Sequence, residues 1–148
     1  MYHWLVRRMI RRTAAKARAG DLGPTLAMWA DDGHFVFPGR NSWAANFRNK
    51  EELARWYERF VRVGLQLEPE EILVQGWPWN TTVAIHFTDH ADDPNGEIVY
   101  SNRGVLFGKV AWGKIRFGTV YEDTQKVAEF DEYLAQHEPA PASARDQP

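Results

Sequence analysis

The polar run YEDT at residues 121–124 is where this 148-residue sequence carries side chains that could do chemistry. It follows an alternating apolar stretch and precedes a helical pattern. A carboxylate at the end of a buried strand can act as a general base or anchor a polar group of a ligand, whereas Asp and Thr before a helix favour capping positions. We therefore expect Asp123 and Thr124 to cap the helix, Tyr121 to lie on the outer face of a sheet, and Glu122 to point into a pocket.

The partner expected for Glu122 is Arg103, and the geometry of two hairpins decides whether they meet. The segment DPNGE, residues 93–97, fits a three-residue loop with Gly96 at the left-handed position. This loop pairs Phe87 with Arg103 across the first hairpin. One face of the sheet is then expected to contain Val83, Ile85, Phe87 and Asp89 on one strand and Ser101, Arg103, Val105 and Phe107 on the next.

The second hairpin loop is expected to be centred between Trp112 and Gly113. This register pairs Arg103 with Glu122, and it brings opposite charges and apolar residues together across the strands. A competing loop over residues 111–113 would turn Glu122 to the other face. In the favoured register an apolar floor ends in an Arg–Glu pair, which is either a structural ion pair or the polar end of a ligand cavity. The third strand adds Gly118, Val120 and Glu122 to this floor.

Length and composition favour one domain with a substantial core. The chain is 44% hydrophobic and 26% charged, which is typical of globular proteins. The aromatic share of 14%, with seven tryptophans, is high, and these rings need a core, an interface or a cavity to cover them. We expect a single domain over residues 1–136, followed by a disordered Pro/Ala-rich tail over residues 137–148.

Three helical stretches are expected in the first half of the chain. Residues 1–20 contain six Lys/Arg and no acid, and they place arginines on a solvated face opposite an apolar face. A short second helix is expected through LGPTLAMWADDG, capped by Asp21 and closed by Gly33. The third, NKEELARWYERFVRVG, begins with Asn49 as cap and Glu52 at the capping-box position. The apolar face expected for the first helix contains Val6, Met9, Ile10, Thr13 and Ala17, and the buried stripe expected for the third contains Leu53, Trp56, Tyr57, Phe60 and Val61.

The second half of the chain has the alternation of strands. A short strand, HFVFPG, is followed after the third helix by four longer alternating runs, at residues 70–77, 79–90, 96–110 and 113–123. A last helix, TQKVAEFDEYLA, is expected to bury Val127, Phe130 and Leu134. Helices followed by an antiparallel meander predict an α+β fold.

Several functional classes receive no support from the sequence. The chain has no cysteine, which excludes thiol chemistry and fits a reducing, cytoplasmic location. The net charge of −2 gives no general attraction to nucleic acid or to a membrane. His86 and His90 lie about 13 Å apart along a strand, too far to share a metal. We therefore expect no metal, no cofactor, no nucleic acid and no membrane partner.

The order of elements resembles the SnoaL-like proteins of the nuclear transport factor 2-like superfamily. The segments MWADDGHFVFPG, YSNRGVLF, WGKI and VYEDTQKV carry this resemblance, which covers residues 3 to about 135. It implies a curved antiparallel sheet wrapped around N-terminal helices as a cone with an apolar pocket inside. It also implies that homodimers through the sheet are frequent. The superfamily contains isomerases, cyclases, hydrolases, dehydratases and non-catalytic binding domains, so the resemblance leaves open whether this chain is an enzyme.

Ketosteroid isomerase chemistry is not expected from this resemblance. The position of the carboxylate base in those enzymes falls on Phe37, which accepts no proton. The oxyanion-hole tyrosine falls on Thr13 and the protonated aspartate on Val105. If the chain is catalytic, Glu122 and Arg103 are the candidate residues, and isomerisation, cyclisation or hydrolysis is the reaction type to test.

The sequence therefore predicts a domain that binds a small apolar or amphipathic molecule. Arg103 and Glu122 would anchor its polar group, and the arginine would lower the pKa of the glutamate. The alternative is a non-catalytic structural or protein-interaction module whose rings fill the cone. A homodimer through the outer sheet face is expected to cover Trp77, Trp79 and Tyr100. The predicted ligand-binding residues are Trp29, Phe35, Phe37, Trp56, Phe60, Val83, Ile85, Phe87, Arg103, Val105, Val120 and Glu122.

Overall fold

A computed structural model, which describes residues 1–141, has an α+β architecture of four helices and one sheet. The helices are α1 (Tyr2–Arg18), α2 (Gly23–Met28), α3 (Lys50–Arg62) and α4 (Thr124–His137). The strands are β1 (Trp29–Phe37), β2 (Ala45–Phe47), β3 (Leu65–Trp77), β4 (Asn80–Asp92), β5 (Ile98–Ala111) and β6 (Lys114–Glu122). Part of the predicted tail, residues 142–148, lies outside the described residues.

The sheet is curved and unclosed, with strand order β2-β1-β6-β5-β4-β3. Strands β3 to β6 form the predicted antiparallel meander, and β1 pairs with β6 in parallel. The first three helices pack on the concave side, and α4 packs against β5. The predicted cone-shaped α+β fold is therefore confirmed.

The helix caps follow the sequence signals closely. Asn49 Oδ1 accepts a hydrogen bond from the Glu52 N–H at 2.9 Å, and Asn49 Nδ2 donates to the Glu52 carboxylate at 2.8 Å, so Glu52 binds the side chain of the cap residue where a capping box uses its backbone N–H. Gly64 ends α3 with a positive φ of 80°. In α4, the side chain of Asp123 accepts from the N–H groups of Gln125 and Lys126. The predicted residues Val127, Phe130 and Leu134 are buried.

The start of β1 differs from the sequence prediction. The second helix ends at Met28, and the residues WADDG, predicted as helical, begin the strand instead. Trp29 pairs with Ile115 on β6, so the tertiary contact overrides the local helical preference. Asp21 does not cap α2 as predicted; it accepts a hydrogen bond from the Gly23 N–H. The short strand β2 was not predicted, since three residues carry too little periodicity.

Two β-bulges explain why the predicted strand register was wrong. Both loops form as predicted: Gly96 has φ 83°, and Trp112 and Gly113 have φ values of 52° and 76°. Ala91 pairs with Tyr100 whereas Asp92 pairs with Ile98, so Val99 is an extra residue in β5. Lys109 pairs with Phe117 whereas Val110 pairs with Ile115, so Arg116 is an extra residue in β6.

Each bulge shifts the pairing by one residue and exchanges the faces of β5 relative to its neighbours. Gly104, not Arg103, lies opposite both Phe87 and Glu122. The inner face of β5 is therefore formed by Tyr100, Asn102, Gly104, Leu106 and Gly108. The faces predicted for β4 and β6 remain as expected, because neither the inner residues of β4 nor Val120 and Glu122 change side.

Candidate functional site

A cavity of about 490 Å³ lies between the concave face of the sheet and the helices. Its walls are almost entirely apolar, and the inner face of α1 forms one side. All of the predicted ligand-binding residues except Arg103 and Val105 line it; their role in binding remains a prediction. These lining residues are Trp29, Phe35, Phe37, Trp56, Phe60, Val83, Ile85, Phe87, Val120 and Glu122.

Arg103 and Val105 lie on the outer face of the sheet. Arg103 is opposite Thr88 and Val105 is opposite His86, and both are exposed. The Val99 bulge is the physical cause, because one extra residue turns every following side chain of β5 to the other face. The predicted Arg103–Glu122 anchor is therefore wrong.

The polar end of the cavity is formed by two carboxyl groups, Asp89 and Glu122. Asp89 is only 5% exposed, and its carboxyl group interacts with that of Glu122. One oxygen of each group, Asp89 Oδ1 and Glu122 Oε2, is buried and has no hydrogen-bond partner in the described part of the chain. Two carboxyls in contact must share a proton, since two buried negative charges side by side are strongly unfavourable.

Burial raises the pKa of both carboxyls, to about 7 for Asp89 and about 8 for Glu122. The negative charge of Asp89 also disfavours ionisation of Glu122, whereas the interaction with Glu122 lowers the pKa of Asp89 and partly offsets the effect of its burial. Arg103 was expected to lower the pKa of Glu122, and this expectation fails because the arginine is on the opposite face. Arg18 also lines the cavity, but its guanidinium binds Glu68 at 2.8 Å and the Leu67 carbonyl at 3.1 Å.

The backbone around Glu122 is held by a buried asparagine. Asn102 Nδ2 donates to the Tyr100 hydroxyl and to the Asp123 carbonyl, both at 3.0 Å. Asp123 directly follows Glu122 and begins α4 as its N-cap. The carboxyl pair is therefore placed by a strand end, a helix start and a cross-strand hydrogen bond together.

Gly104 provides the space in which the Glu122 side chain lies. A Cβ at this position would approach the Tyr121 carbonyl to 2.3 Å, the Glu122 Cβ to 2.8 Å and the Phe87 Cζ to 3.1 Å. Any larger residue would push on the strand that carries the glutamate. Close packing on the inner face of the sheet therefore requires glycine at this position.

Tyr100 packs behind the carboxyl pair. It was predicted to lie at the dimer interface on the outer sheet face, and that prediction is wrong. It is buried on the inner face of β5 and stacks on Phe130 of α4 with ring centroids 4.5 Å apart. Burial, and then the nearby charges of Asp89 and Glu122, raise the pKa of its hydroxyl. The same physical cause, burial, raises the pKa of Tyr57 on the cavity wall.

The residues of the polar run YEDT, at positions 121–124, have three different roles in the structure. Asp123 caps α4 as predicted, while Thr124 is the first helical residue and does not act as the cap. Tyr121 lies on the outer sheet face and is 59% exposed, also as predicted. Glu122 is the residue of this run that reaches the cavity.

Asp89 is the site residue that sequence reasoning did not select. Its signal was present, because it continues the alternation of Val83, Ile85 and Phe87 and was expected on the same face. A charged residue at an inward position of a buried strand requires a partner. Asp89 was not selected because Arg103 was already assigned as the partner of Glu122.

The histidines do not contribute to the cavity. His34 contacts Asn46 Oδ1 at 2.6 Å, His86 pairs with Glu70 at 3.1 Å, and His90 lies 3.9 Å from Asp92. Within residues 1–141, no group of three His, Asp or Glu side chains is placed to hold a metal ion. No helix in this same range is long and apolar enough to cross a membrane.

Comparison with known families assigns the fold. The family model of the SnoaL-like domain matches residues 6–117, which is most of the chain. The chain belongs to the SnoaL-like family. No curated protein sequence matches it significantly.

Several solved structures, among them a nuclear transport factor 2-like protein, share the fold of this SnoaL-like domain. TerC, co-crystallised with polyporic acid, has a TM-score of 0.68 and 20% identity over 84% of this chain and 96% of that one. A Burkholderia pseudomallei protein of unknown function has a TM-score of 0.67 and 15% identity, with 87% of this chain and 94% of that one covered. AclR, a putative hydroxylase from Streptomyces galilaeus, has a TM-score of 0.64 and 15% identity, with 95% of this chain and 91% of that one covered. At these identities the likeness concerns the fold alone.

Proposed function

We propose that this SnoaL-like domain binds a small apolar or amphipathic molecule in the cavity, with the polar group of the ligand at Asp89 and Glu122. The observation that carries the proposal is the pair of buried carboxyl oxygens without a partner at the end of an apolar cavity of about 490 Å³. A buried polar atom without a partner is costly, and a ligand that supplies one removes that cost.

The carboxyl pair suits proton transfer as well as binding. With one shared proton, one carboxyl donates a hydrogen bond while the other accepts one. The protonated carboxyl could therefore donate to a ligand carbonyl while the ionised one takes a proton from an acidic C–H or O–H of the same ligand. Raised pKa values keep a proton on the pair near neutral pH. Isomerisation or cyclisation by Glu122 or Asp89 as base, with the other as acid, is the reaction type this arrangement favours.

The relatives are compatible with such a ligand class. TerC was crystallised with polyporic acid, and AclR is described as a putative hydroxylase. These properties belong to those proteins, and they support the proposal only by indicating that the fold accommodates small molecules and chemistry. Ketosteroid isomerase activity is still not expected, because Phe37 occupies the base position and Val105 points away from the cavity.

The alternative of a structural module with a filled cone is less well supported. Ligand cavities range from about 300 to about 1,000 Å³, and the volume here lies inside that range. Tightly packed cores leave few voids larger than a water molecule. A cytoplasmic location and a homodimer through the outer sheet face remain our proposals.

The proposed function can be tested by a thermal-shift screen with apolar molecules that carry a hydroxyl, ketone or amine. We expect hits to raise the Tm of the wild type and to lose most of that shift in Asp89→Asn and Glu122→Gln. Arg103→Met is the matched control, since its side chain is outside, and it should keep the shift. A second variant, Gly108→Leu, adds bulk to the cavity wall and should abolish the shift for every hit.

Two results would contradict the proposal. One is a set of hits whose Tm shift survives Gly108→Leu in a variant that unfolds cooperatively, because binding would then lie elsewhere. The other is loss of binding in Arg103→Met but not in the carboxyl variants. Hits that bind the wild type without turnover would support the binding role and remove the catalytic one.

A further inference from the structure

Three exposed tryptophans form a cluster at one end of the sheet, here called the tryptophan collar: Trp77, Trp79 and Trp112. They are 67%, 56% and 71% exposed. Trp77 and Trp79 stack with centroids 5.8 Å apart, and Trp79 lies 6.1 Å from Trp112. Large aromatic rings grouped on the surface indicate an interaction site, whereas single exposed apolar residues are normal.

The tryptophan collar borders the cavity. Trp112 itself and its neighbours Pro78 and Gly113 line the cavity wall, and the Trp112 N–H donates to the Pro78 carbonyl at 2.7 Å. The start of α1 lies at the same end, because His3 contacts the Gly76 carbonyl at 2.8 Å. It adds three more exposed apolar side chains to this end of the molecule, Met1, Trp4 and Leu5.

The charges near the collar are predominantly basic. Residues 1–20, 72–88 and 98–121, which form α1 and the strands of the collar, contain no Asp or Glu. The acids of the neighbouring strand β1, at residues 31 and 32, are held in ion pairs with basic side chains. The basic residues nearest the collar are Lys114 and Arg8, which lies over the Trp4 ring and has no acidic partner among the described residues. The acids of the second half are instead concentrated at residues 89–97 and 122–138, toward the opposite ends of β4, β5 and β6.

The net charge of the whole chain predicted no membrane partner, but the local grouping of tryptophans and basic residues leads us to a different inference. We propose that the tryptophan collar and the start of α1 dock on the surface of an anionic phospholipid bilayer, with the cavity opening toward the lipid. Tryptophan favours the membrane–water interface, where its ring is apolar and its N–H stays hydrated. Basic residues beside it are attracted to anionic headgroups. A protein partner on the collar would cover the part of the cavity wall formed by Trp112 and Pro78, whereas a bilayer surface is a reservoir from which an apolar molecule can enter.

Vesicle co-sedimentation with the full chain tests this proposal. We expect the wild type to pellet with vesicles of mixed phosphatidylserine and phosphatidylcholine at low salt, and to pellet weakly with phosphatidylcholine alone. Trp79→Ser with Trp112→Asn should abolish most of the binding; asparagine tolerates the positive φ of 52° at Trp112. Arg8→Gln and Lys114→Gln should each weaken binding to anionic vesicles by about fivefold.

The control is Ile98→Ser, which removes a side chain of similar exposure, 67%, far from the collar. It should bind like the wild type, and thermal melts should show that all variants are folded. Failure of the wild type to pellet with anionic vesicles would overturn the proposal. So would pelleting that is unchanged in the collar variants. A wild-type dimer that dissociates in the collar variants, without vesicle binding, would assign the collar to a second copy of the chain.

Discussion

The shared proton of Asp89 and Glu122 gives this protein an unusual dependence of stability on pH. Their ordinary pKa values of 3.8 and 4.5 rise to about 7 and about 8 in the folded state. The folded state therefore binds more protons than the unfolded chain between about pH 4 and pH 8, and stability falls as pH rises through this window. The stabilising contribution is complete below about pH 4 and lost above about pH 8.

Glu122→Gln is expected to flatten this decline. The variant cannot ionise at position 122, so it should be more stable than the wild type above about pH 8, where the wild type buries two negative charges. The measurement is the free energy of unfolding in urea from pH 4 to pH 9. Glu132→Gln, on the exposed face of α4, is the control and should follow the wild-type curve. An identical slope for Glu122→Gln and the wild type would show that the pair does not titrate together.

Gly104 lies where the structure has no space for a side chain. Gly104→Ala should destabilise the fold by about 1–3 kcal/mol, because the added Cβ meets backbone and the Glu122 side chain at distances too short for contact. Gly108→Ala is a matched control on the same strand and face, since its nearest neighbours lie at 3.6 Å and 4.0 Å. Equal unfolding free energies for the two variants would contradict the packing described here.

Arginines of the first helix donate hydrogen bonds to the free edge of the sheet, where no further strand pairs. Strand β3 is an edge strand, and Arg7 Nε donates to the Ile72 carbonyl at 3.0 Å while Arg11 donates to the carbonyls of Pro69 and Glu70 at 3.2 Å and 3.3 Å. These arginines were expected to be simply solvated. They instead satisfy carbonyls that would otherwise present an open edge to other chains.

Arg7→Met and Arg11→Met are expected to weaken the fold by about 1 kcal/mol each, since charge-assisted hydrogen bonds to partly exposed carbonyls are lost. The double variant should also aggregate faster on mild heating. Arg12→Met removes the same charge from a position with no such contact and serves as the control. Unfolding in urea and light scattering measure the two effects, and a loss in Arg12→Met as large as in Arg7→Met would refute the edge-capping role.

The elements and most of the apolar cavity wall were predictable from sequence, and the polar end of the cavity was not. Local signals decided α3 and α4, because caps and apolar stripes act within a few residues: Asn49, Asp123 and Phe130 all lie as expected. The turns at Gly96 and Gly113 were equally local. The site depends on which face of β5 is inside, and that parity changes at Val99, a residue with no distinctive turn chemistry.

A bulge is a property of two strands together and not of either sequence. The register without bulges offered an Arg–Glu pair, which looked favourable. The structure prefers Gly104 beside Glu122 and Phe87, because the curved sheet needs a small residue at that point and a local increase in twist. Cross-strand charge pairs contribute little compared with correct packing of buried rings.

At the scale of the whole molecule, the outer sheet face is the surface we expect to form a homodimer. With Tyr100 buried, the exposed apolar residues on this face are Leu73, Trp77, Val105 and Tyr121, and Trp79, also predicted at the interface, lies in the turn that follows β3. Val105→Glu should shift the protein from twice the chain mass to the 17.1 kDa monomer in analytical ultracentrifugation, with Ile98→Glu as control. A wild type that sediments as a monomer at micromolar concentration would contradict this.

The Val99 bulge has a consequence for how such a protein can evolve. Because Val99 has no partner on β4, the loss of that single codon would remove the bulge and still leave Tyr100 opposite Ala91 and Gly104 opposite Phe87. A deletion inside a regular strand turns the following side chains to the other face, but a deletion at this position would leave the pocket wall unchanged. Descendants of a common ancestor could in this way differ by one residue in β5 while they kept the same carboxyl pair and the same cavity.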